Sequence, residues 1–338
     1  MREALSFDDV LLVPTYSDVC SRSEVDISSD LGAGIKLDLP IISSPMDTVT
    51  EEQMAKAMTA AGGTGIIHRY NTISEQVEIA ERVLSNRYPA TVGAAIGVTG
   101  DYLERAYALC SSGINVLCVD VAHGDHKLMK FALENLRKNL DNQVHIMAGN
   151  VATLEGFNNL ADWGADSIRV GIGGGSICST RIQTGHGIPT FQSIIDCSRS
   201  DRDATLIADG GLKTSGDIVK ALAAGADAVM IGSMLAGTDE SPGEVFVNKN
   251  KKYKVYRGMA SKSAQLDWRG SSSSPEGIST TIPYKGSVVN LLEDIAGGIR
   301  SGFSYSGSKC LMDLRVKCEF IKQTSAGQVE SSTHILRR

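Results

Sequence analysis

The chain has 338 residues, of which 42% are hydrophobic, so it is long enough to bury a large core. The formal net charge of −6 and the lack of a basic block argue against nucleic acid or an anionic membrane as the main partner. No apolar run approaches the roughly 20 residues that cross a bilayer, and the acidic start MREALSFDDVLLVP does not resemble a signal peptide. The seven cysteines, an odd number without a C-x-x-C pair, are typical of reduced thiols, so we expect a cytoplasmic protein.

Eight short apolar runs recur along the chain, each followed by small or polar residues. They begin at Ile41, Gly65, Thr91, Ile114, Val144, Ser167, Thr205 and Ala228. Segments with helical periodicity lie between them, for example at 51–62, 74–86 and 215–225. This alternation is typical of parallel strands covered by helices, and the related phrases GADSIRVG and GADAVMIG indicate repeating units. The pattern favours an α/β fold, a (β/α)8 TIM barrel, over a doubly wound sheet, which would need a G-x-G-x-x-G turn after its first strand.

Beyond the eighth run the pattern changes. Residues from about 236 to 290 combine the stretch NKNKKYKVY with a serine run and few apolar residues, which predicts a mobile loop, or flap, whose lysines face solvent. The segment SVVNLLEDIAGGIRSGF is predicted to be the helix that closes the barrel. The tail, about 323–338, lacks periodicity and is expected to be disordered or docked on a neighbour. We interpret residues 1–338 as a single barrel domain with this flap and tail.

The predicted carboxyl ends of the strands, where barrels carry their active sites, are rich in glycine and polar residues. DGG follows the seventh strand and GS the eighth, and bare amides in these two loops commonly bind phosphate. Tight turns would also explain the glycines, but Ser176 is expected in the same place, and phosphate binding is favoured. Asp209 is suited to accept hydrogen bonds from sugar hydroxyls; the alternative is a cap for the next helix.

The stretch RVGIGGGSICSTRIQTGHG, residues 169–187, places Cys178 inside a run of glycines after the sixth strand. A lone cysteine is more often a small buried hydrophobe than a nucleophile. This loop exposes it, however, and neighbouring amides together with Arg181 could stabilise a thiolate, with Thr180 relaying a proton. Residue type and position leave the two roles evenly balanced.

Two further motifs are weaker. His123 and His126 in HGDH lack a third ligand at a recognisable spacing, and a helix-start loop explains them as well, so metal catalysis is not expected. Trp268 and Arg269 lie in the flap, where they either anchor it or close over a bound cofactor; the residues alone do not decide.

These motifs resemble a known family. GIGGGSICSTRIQTGHGIP resembles the cysteine loop of the inosine-monophosphate dehydrogenase and guanosine-monophosphate reductase family, usually G-I-G-P-G-S-[IV]-C-T-T-R-x-x-T-G-x-G. The resemblance covers nearly the whole chain and includes SFDDVLLVP, ISSPMDTVTE, DVAHG, AGNVAT, ADGG, GSMLAGTDESPGE and YRGMAS. It implies a purine-nucleotide oxidoreductase that acts at C2 with a nicotinamide cofactor and is usually a homotetramer. Two residues depart from the family pattern: Gly174 stands where proline is usual, and Thr190 where glutamine is usual.

The resemblance also implies residue roles. Cys178 would attack purine C2, with Thr180 and Glu276 as its catalytic partners. The nucleotide would be held by Ser44, Met46, Ser176, Asp209, Gly211, Gly232, Ser233, Tyr256, Met259, Ala260 and Glu276. The nicotinamide side would face Asp120, Asn150 and Arg169. A potassium ion would be held by the carbonyls of Gly173, Gly175 and Cys178, with Glu330 added from a neighbouring subunit.

Within the resemblance, the reductase branch is favoured. The dehydrogenase flap carries an Arg-Tyr pair that activates water, whereas the only arginine between Gly258 and Glu276 is Arg269, which glycine follows. No regulatory pair of CBS domains interrupts SNRYPATVG at 85–93, and SRSEVDIS also resembles the reductase, although SSPMDTVTE, GGTGIIH and AGQVESSTHI resemble the dehydrogenase. We expect conversion of GMP and NADPH to IMP, ammonia and NADP. The alternative is oxidation of IMP with NAD and water to XMP, and a non-catalytic nucleotide-binding protein ranks lowest.

Overall fold

The structure is a computed structural model that describes residues 1–85, 91–140, 144–331 and 333. Eight parallel strands pair in chain order and close into a barrel, in which the eighth strand pairs with the first. The strands are β1 (Ile41–Ser43), β2 (Thr64–Ile67), β3 (Val92–Ile96), β4 (Val116–Asp120), β5 (His145–Val151), β6 (Ser167–Val170), β7 (Thr205–Asp209) and β8 (Ala228–Ile231). Each of the eight predicted runs overlaps one strand, which confirms the predicted (β/α)8 barrel.

Helices surround the barrel and follow the strands along the chain. They are α1 (Glu52–Ala60), α2 (Ile73–Leu84), α3 (Tyr102–Ser111), α4 (Lys127–Leu140), α5 (Leu154–Asp162), α6 (Thr180–Thr184), α7 (Thr190–Cys197), α8 (Ser215–Ala223), α9 (Lys262–Arg269), α10 (Val288–Tyr305), α11 (Leu311–Lys317) and α12 (Ser325–Glu330). The three helical segments singled out in the sequence overlap α1, α2 and α8, and the predicted closing helix overlaps α10. In the part of the chain that the structure describes, no helix combines the length and the apolar character needed to cross a membrane.

The barrel interior is a packed core because successive strand residues alternate between its two faces. In β4, Val116 and Cys118 belong to the inner cluster, whereas Leu117 and Val119 pack with the helices outside. A short hairpin, formed by the strands Ser29–Asp30 and Lys36–Leu37, adds its apolar side chains to the inner cluster. The hairpin therefore seals one end of the barrel, and the carboxyl ends of the strands are left for a site.

The flap, residues 236–290, contains regular structure, so the prediction of a loop was wrong. Its strands Phe246–Asn248, Lys251–Arg257 and Ser279–Pro283 form an antiparallel sheet, and α9 lies between the last two. The first hairpin turns at Lys249 and Asn250, which both have positive φ, as a two-residue turn between twisted strands requires. Local composition could not show the whole sheet, because one of the two partners of the middle strand, Ser279–Pro283, follows only after α9.

The described part of the tail is ordered, so the expectation of disorder was wrong there, while docking on a neighbour stays a prediction. Residues 325–330 form α12, where Thr324 accepts a hydrogen bond from the backbone N–H of Gly327. Just before it, the strand Phe320–Lys322 pairs with Val10–Leu12 near the N-terminus. Residues 332 and 334–338 of the tail lie outside the described residues. So do residues 86–90 of the stretch SNRYPATVG, where no inserted CBS domains were expected.

The hairpin that seals the barrel gives a stability prediction. Leu31 is completely buried in the inner cluster, so Leu31→Ala should lower the free energy of unfolding by about 2–5 kcal/mol through lost burial and a cavity. Denaturant unfolding measures this loss, with Leu128→Ala on the exposed side of α4 as the control. Equal midpoints for the two variants would contradict a packed seal.

Candidate active site

A cavity of about 460 Å3 opens at the carboxyl ends of the barrel strands, beneath the flap. Every residue that the sequence analysis placed around the nucleotide, the nicotinamide or the carbonyl site lines this cavity, with one exception. The exception is Glu330, which ends α12 on an exposed surface. The barrel topology therefore assembles in one place a set of residues that is scattered along most of the sequence.

The glycine run before Cys178 lets two backbone segments come very close. Gly171 has φ +151°, and a Cβ atom there would lie 1.9 Å from the carbonyl oxygen of Asp209 at the end of β7. No side chain fits in that space, so residue 171 must be glycine for the loop after β6 to pass the end of β7. The cysteine is thereby brought over the barrel mouth.

Cys178 belongs to a chain of hydrogen bonds. Its thiol donates to the hydroxyl of Thr180 at 3.1 Å, and that hydroxyl donates to the carboxylate of Glu276 at 2.8 Å. Thr180 begins α6, whereas Glu276 comes from the flap. The arrangement connects a nucleophile to a carboxylate through one hydroxyl, which is the geometry of a proton relay.

Backbone pairing holds the flap against the cysteine loop. The N–H of Ser179 donates to the carbonyl of Glu276 at 2.9 Å, and the N–H of Ile278 donates to the carbonyl of Ile177 at 3.0 Å. These two bonds fix the height of the flap above Cys178. The contact between Thr180 and Glu276 therefore depends on main-chain geometry as well as on the side chains.

Arg169 anchors a buried polar network on the floor of the cavity. It pairs with Asp120 of β4 and, at 2.8 Å, with Asp209 of β7, and Asn150 donates to the same Asp209 oxygen at 2.8 Å. Burial opposes the charge of the guanidinium, but the two carboxylates outweigh it and hold the pKa of Arg169 well above the usual range. Asp209 does not cap the next helix, as the alternative proposed, because Thr214 caps α8.

Hydroxyl groups cluster beside the ends of β1 and β8. A Cβ atom on Gly232 would lie within 3.3 Å of the Met46 sulfur and of the hydroxyls of Ser44 and Tyr256, so only glycine leaves this space open. Tyr256 is almost fully buried. Burial raises its pKa, although a hydrogen bond with Ser176 opposes the shift, so the phenol stays protonated near neutral pH. These donors suit an anionic ligand group.

One sequence expectation needs revision at the residue level, and another fits the structure. Arg181 donates to the backbone carbonyls of Ile172 and Ile188, at 3.5 Å and 2.7 Å, so its charge is directed at the loop backbone instead of the thiol. His126 accepts from the N–H of Leu128 at the start of α4, which fits the helix-start interpretation.

The sequence analysis missed several residues of the cavity wall. Arg69 and Tyr70, which follow β2, line the cavity, and so does Gln265 of α9. The only sequence signal for the first two was their position directly after a predicted strand.

Comparison with known proteins defines the family. Residues 4–334 match the family model described as the IMP dehydrogenase / GMP reductase domain. The chain belongs to this family.

The relatives carry both names. The chain is 34% identical to the inosine-5'-monophosphate dehydrogenase of Nitrosopumilus maritimus (strain SCM1), over 98% of each protein. It is 32% identical to the GMP reductase of Leishmania major, over 98% of this chain and 97% of the relative. A crystal structure of a Trypanosoma brucei GMP reductase variant in complex with guanosine 5'-monophosphate matches with a TM-score of 0.94 and 31% identity, over 99% of this chain and 98% of that chain. The chain is therefore an oxidoreductase of this family, and the two names occur at similar identity.

The two departures from the family pattern lie against each other, which generates a prediction. A Cβ atom on residue 174 would lie 2.3 Å from the hydroxyl oxygen of Thr190, which is buried without a hydrogen-bond partner among the described residues. Gly174→Ala should therefore destabilise the protein by about 1–3 kcal/mol through overpacking. The double variant Gly174→Ala/Thr190→Ala should recover most of that loss in thermal unfolding. Gly297→Ala, which meets no atom within 4 Å, is the control; an additive double variant would contradict the steric coupling.

The thiols should differ in reactivity. Burial raises the pKa of Cys118 and Cys197 to about 12 and that of Cys110 to about 11, so these groups remain protonated in mildly alkaline solution. Iodoacetamide should then modify Cys178, which lines the cavity, and the exposed Cys20, while Cys110, Cys118 and Cys197 stay unmodified. Peptide mass spectrometry measures the extent of modification at each cysteine. Rapid modification of Cys118 in the folded protein would contradict the prediction.

Proposed function

We propose that this member of the family is a GMP reductase, which converts GMP and NADPH to IMP, ammonia and NADP. The observation that carries the proposal is the relay from Cys178 through Thr180 to Glu276. The flap above it holds no Arg-Tyr pair between Gly258 and Glu276. A relay that moves a proton to a leaving nitrogen meets the needs of deamination, whereas hydrolysis needs a group that activates water.

The nucleotide is placed with its phosphate at the loops after β7 and β8. Gly211 and Gly232 leave backbone amides accessible there, and Ser176 and Tyr256 add hydroxyl donors. Asp209 is the group for the ribose, because its second carboxylate oxygen is not used by Arg169 or Asn150. The base then lies along Met46, Met259 and Ala260, with its C2 atom at Cys178.

The donor directions in the relay define the first chemical steps. A shift of two protons along the hydrogen bonds leaves a thiolate on Cys178 and a protonated Glu276. The sulfur forms a bond to C2, and the proton returns through Thr180 to the amino nitrogen. The bond from C2 to that nitrogen breaks, and ammonia leaves with the electron pair. When the bond from C2 to sulfur finally breaks, its electron pair returns to Cys178, which regains a proton from water.

The other half of the cavity fits a nicotinamide dinucleotide. Asp120 and Asn150 present polar atoms beside Arg169, and Arg69 and Arg269 add guanidinium groups for phosphates. The Arg69 Nε atom is buried and has no hydrogen-bond partner among the described residues, which is consistent with a site for a further acceptor. Bound in this half, the reduced nicotinamide supplies the hydride that replaces the amino group at C2.

A monovalent cation is part of the proposal. The carbonyls of Gly173, Gly175 and Cys178 would hold potassium; the Gly175 carbonyl accepts the Cys178 N–H at 3.1 Å and keeps a second lone pair for an ion. Glu330 would contribute from a neighbouring subunit of a homotetramer, since it is exposed and does not line the cavity of its own chain.

IMP dehydrogenase is the second candidate, and one observation favours it. Arg269 faces the cavity from the flap, where a guanidinium could orient a water molecule above C2 even without a tyrosine beside it. In that reaction Cys178 bonds to C2 of IMP, hydride leaves to NAD, and water cleaves the adduct to XMP.

One absorbance experiment distinguishes the candidates. GMP with NADPH should cause loss of the reduced-nicotinamide absorbance, and IMP with NAD should cause no gain, each with and without potassium. Cys178→Ala should abolish turnover, and Glu276→Gln should lower kcat about a hundredfold or more by breaking the relay. Cys20→Ala, at an exposed thiol, is the matched control.

The remaining outcomes are informative. Growth of absorbance with IMP and NAD, lost in Arg269→Ala, would establish the dehydrogenase and overturn the proposal. Binding of either nucleotide without turnover, unchanged by Cys178→Ala, would instead indicate a non-catalytic binding protein.

A further inference from the structure

The loop after β2, residues 68–71, is a rigid platform beside the cavity. Arg105 is buried behind it and donates to the side chain of Gln76 at 2.8 Å and to the carbonyl of Asn71 at 3.0 Å. Gln76 in turn donates to the carbonyls of His68 and Ala95 at 3.0 Å and 2.9 Å. Because these bonds are buried and connect β2, β3, α2 and α3, the loop cannot shift without breaking several of them.

Tyr70 projects from this platform and contacts the flap at two separated points. Its hydroxyl donates to the carbonyl of Met259 at 2.9 Å, before α9 begins. Its ring stacks on Trp268 in the last turn of α9, with ring centroids 5.7 Å apart and planes 13° from parallel. One side chain of the barrel therefore holds both ends of the flap segment that covers the cavity.

The stack also determines where Arg269 lies. Arg269 is the residue after Trp268, and the helix ends directly afterwards at Gly270, which has φ +67°. Arg269 lines the cavity together with Arg69, whose guanidinium lies 5.6 Å from the centre of the Tyr70 ring. Tyr70 thus contacts Arg69, which donates to the carbonyl of Asp120, and also Trp268, the residue before Arg269.

The start of α9 has anchors of its own, since Ala264 is completely buried and Gln265 donates to the carbonyl of Ala260 at 3.0 Å. Arg257 pairs with Asp267, but that carboxylate is two-thirds exposed, and exposed ion pairs contribute little. Trp268 itself is 37% exposed, so the stack is not part of the barrel core. Its loss should change the position of α9 without unfolding the protein.

We propose that Tyr70 is a positioning residue, which with Trp268 holds α9 so that Arg269 faces the phosphates of the dinucleotide cofactor. The proposal rests on the proposed function for the identity of the cofactor. It assigns a role to Trp268 as the anchor of the flap and to Arg269 as the group that contacts the ligand.

The first test measures the contact between Tyr70 and Trp268 by fluorescence, without any ligand. In a Trp163→Phe background, Trp268 is the only tryptophan, so its emission and its quenching by acrylamide report on the contact. Tyr70→Leu should raise the quenching constant about twofold because the ring loses its stacking partner. Tyr70→Phe should leave it unchanged, and Tyr107→Leu, at an exposed tyrosine of α3, is the matched control. Unchanged quenching in Tyr70→Leu would overturn the proposal.

The second test separates the cofactor from the nucleotide. Tyr70→Leu and Trp268→Leu should each raise KM for NADPH about three- to tenfold, the range expected for loss of an aromatic pair. In Trp268→Leu, KM for GMP should change less than about twofold, because α9 carries none of the residues assigned to the nucleotide and the Tyr70 hydroxyl still donates to the carbonyl of Met259. The double variant should resemble either single variant, and Arg269→Ala should raise KM for NADPH without changing the quenching. Equal rises in both KM values in Trp268→Leu would show that the stack acts on the whole flap, contrary to the proposal.

The two tests also distinguish this proposal from the proposed function. If the unaltered protein turns over neither substrate pair, the proposed function fails, and NADPH binding is followed instead by the fluorescence of its nicotinamide. Weaker NADPH binding in Tyr70→Leu and Arg269→Ala would then still support the positioning role. Unaltered NADPH binding in both variants would overturn it.

Discussion

The polar floor of the cavity depends on one buried cation, Arg169. Its guanidinium lies between the carboxylates of Asp120 and Asp209, which come from strands on either side of β6. Without that charge, the two partly buried carboxylates would be left without their shared partner, which is destabilising. The same guanidinium holds both carboxylates, of which Asp209 is proposed to bind the ribose and Asp120 to face the nicotinamide. The ion pairs of Arg169 therefore lie at the boundary between the proposed nucleotide region and the proposed cofactor region.

The rest of the site is assembled by the flap. The catalytic relay joins Cys178, in the loop after β6, to Glu276, which is 98 positions further along the sequence. Backbone bonds between the two segments set their distance, and the stack of Tyr70 on Trp268 adds a second attachment of the flap to the barrel. In the proposed reaction, the barrel supplies the nucleophile and most of the binding groups, while the flap supplies the carboxylate. Such a division makes the position of the flap a condition for the chemistry.

Some sequence interpretations were correct because they depended on local patterns. The eight strands follow from short apolar runs that remain buried on both faces of a parallel barrel, and the glycines near Cys178 do mark a close approach of backbone, as Gly171 shows. Others were wrong because the deciding contact is distant. Arg181 was expected near the thiol from its sequence spacing, but its guanidinium turns to carbonyls of the loop. The flap was expected to be a loop because its strands are exposed and contain little apolar sequence.

By itself, the sequence determined the order of the barrel strands and the family, and it predicted the nucleophile, since periodicity and motif spacing are properties of contiguous residues. Only the tertiary structure decided that Thr180 bridges Cys178 and Glu276. It alone also showed that residues 174 and 190 are steric neighbours and that Tyr70 stacks on Trp268. These contacts join segments whose separation is set by barrel closure and by strand pairing within the flap. No local sequence pattern records such a distance, because the contacting residues lie in different segments and meet only when the chain has folded.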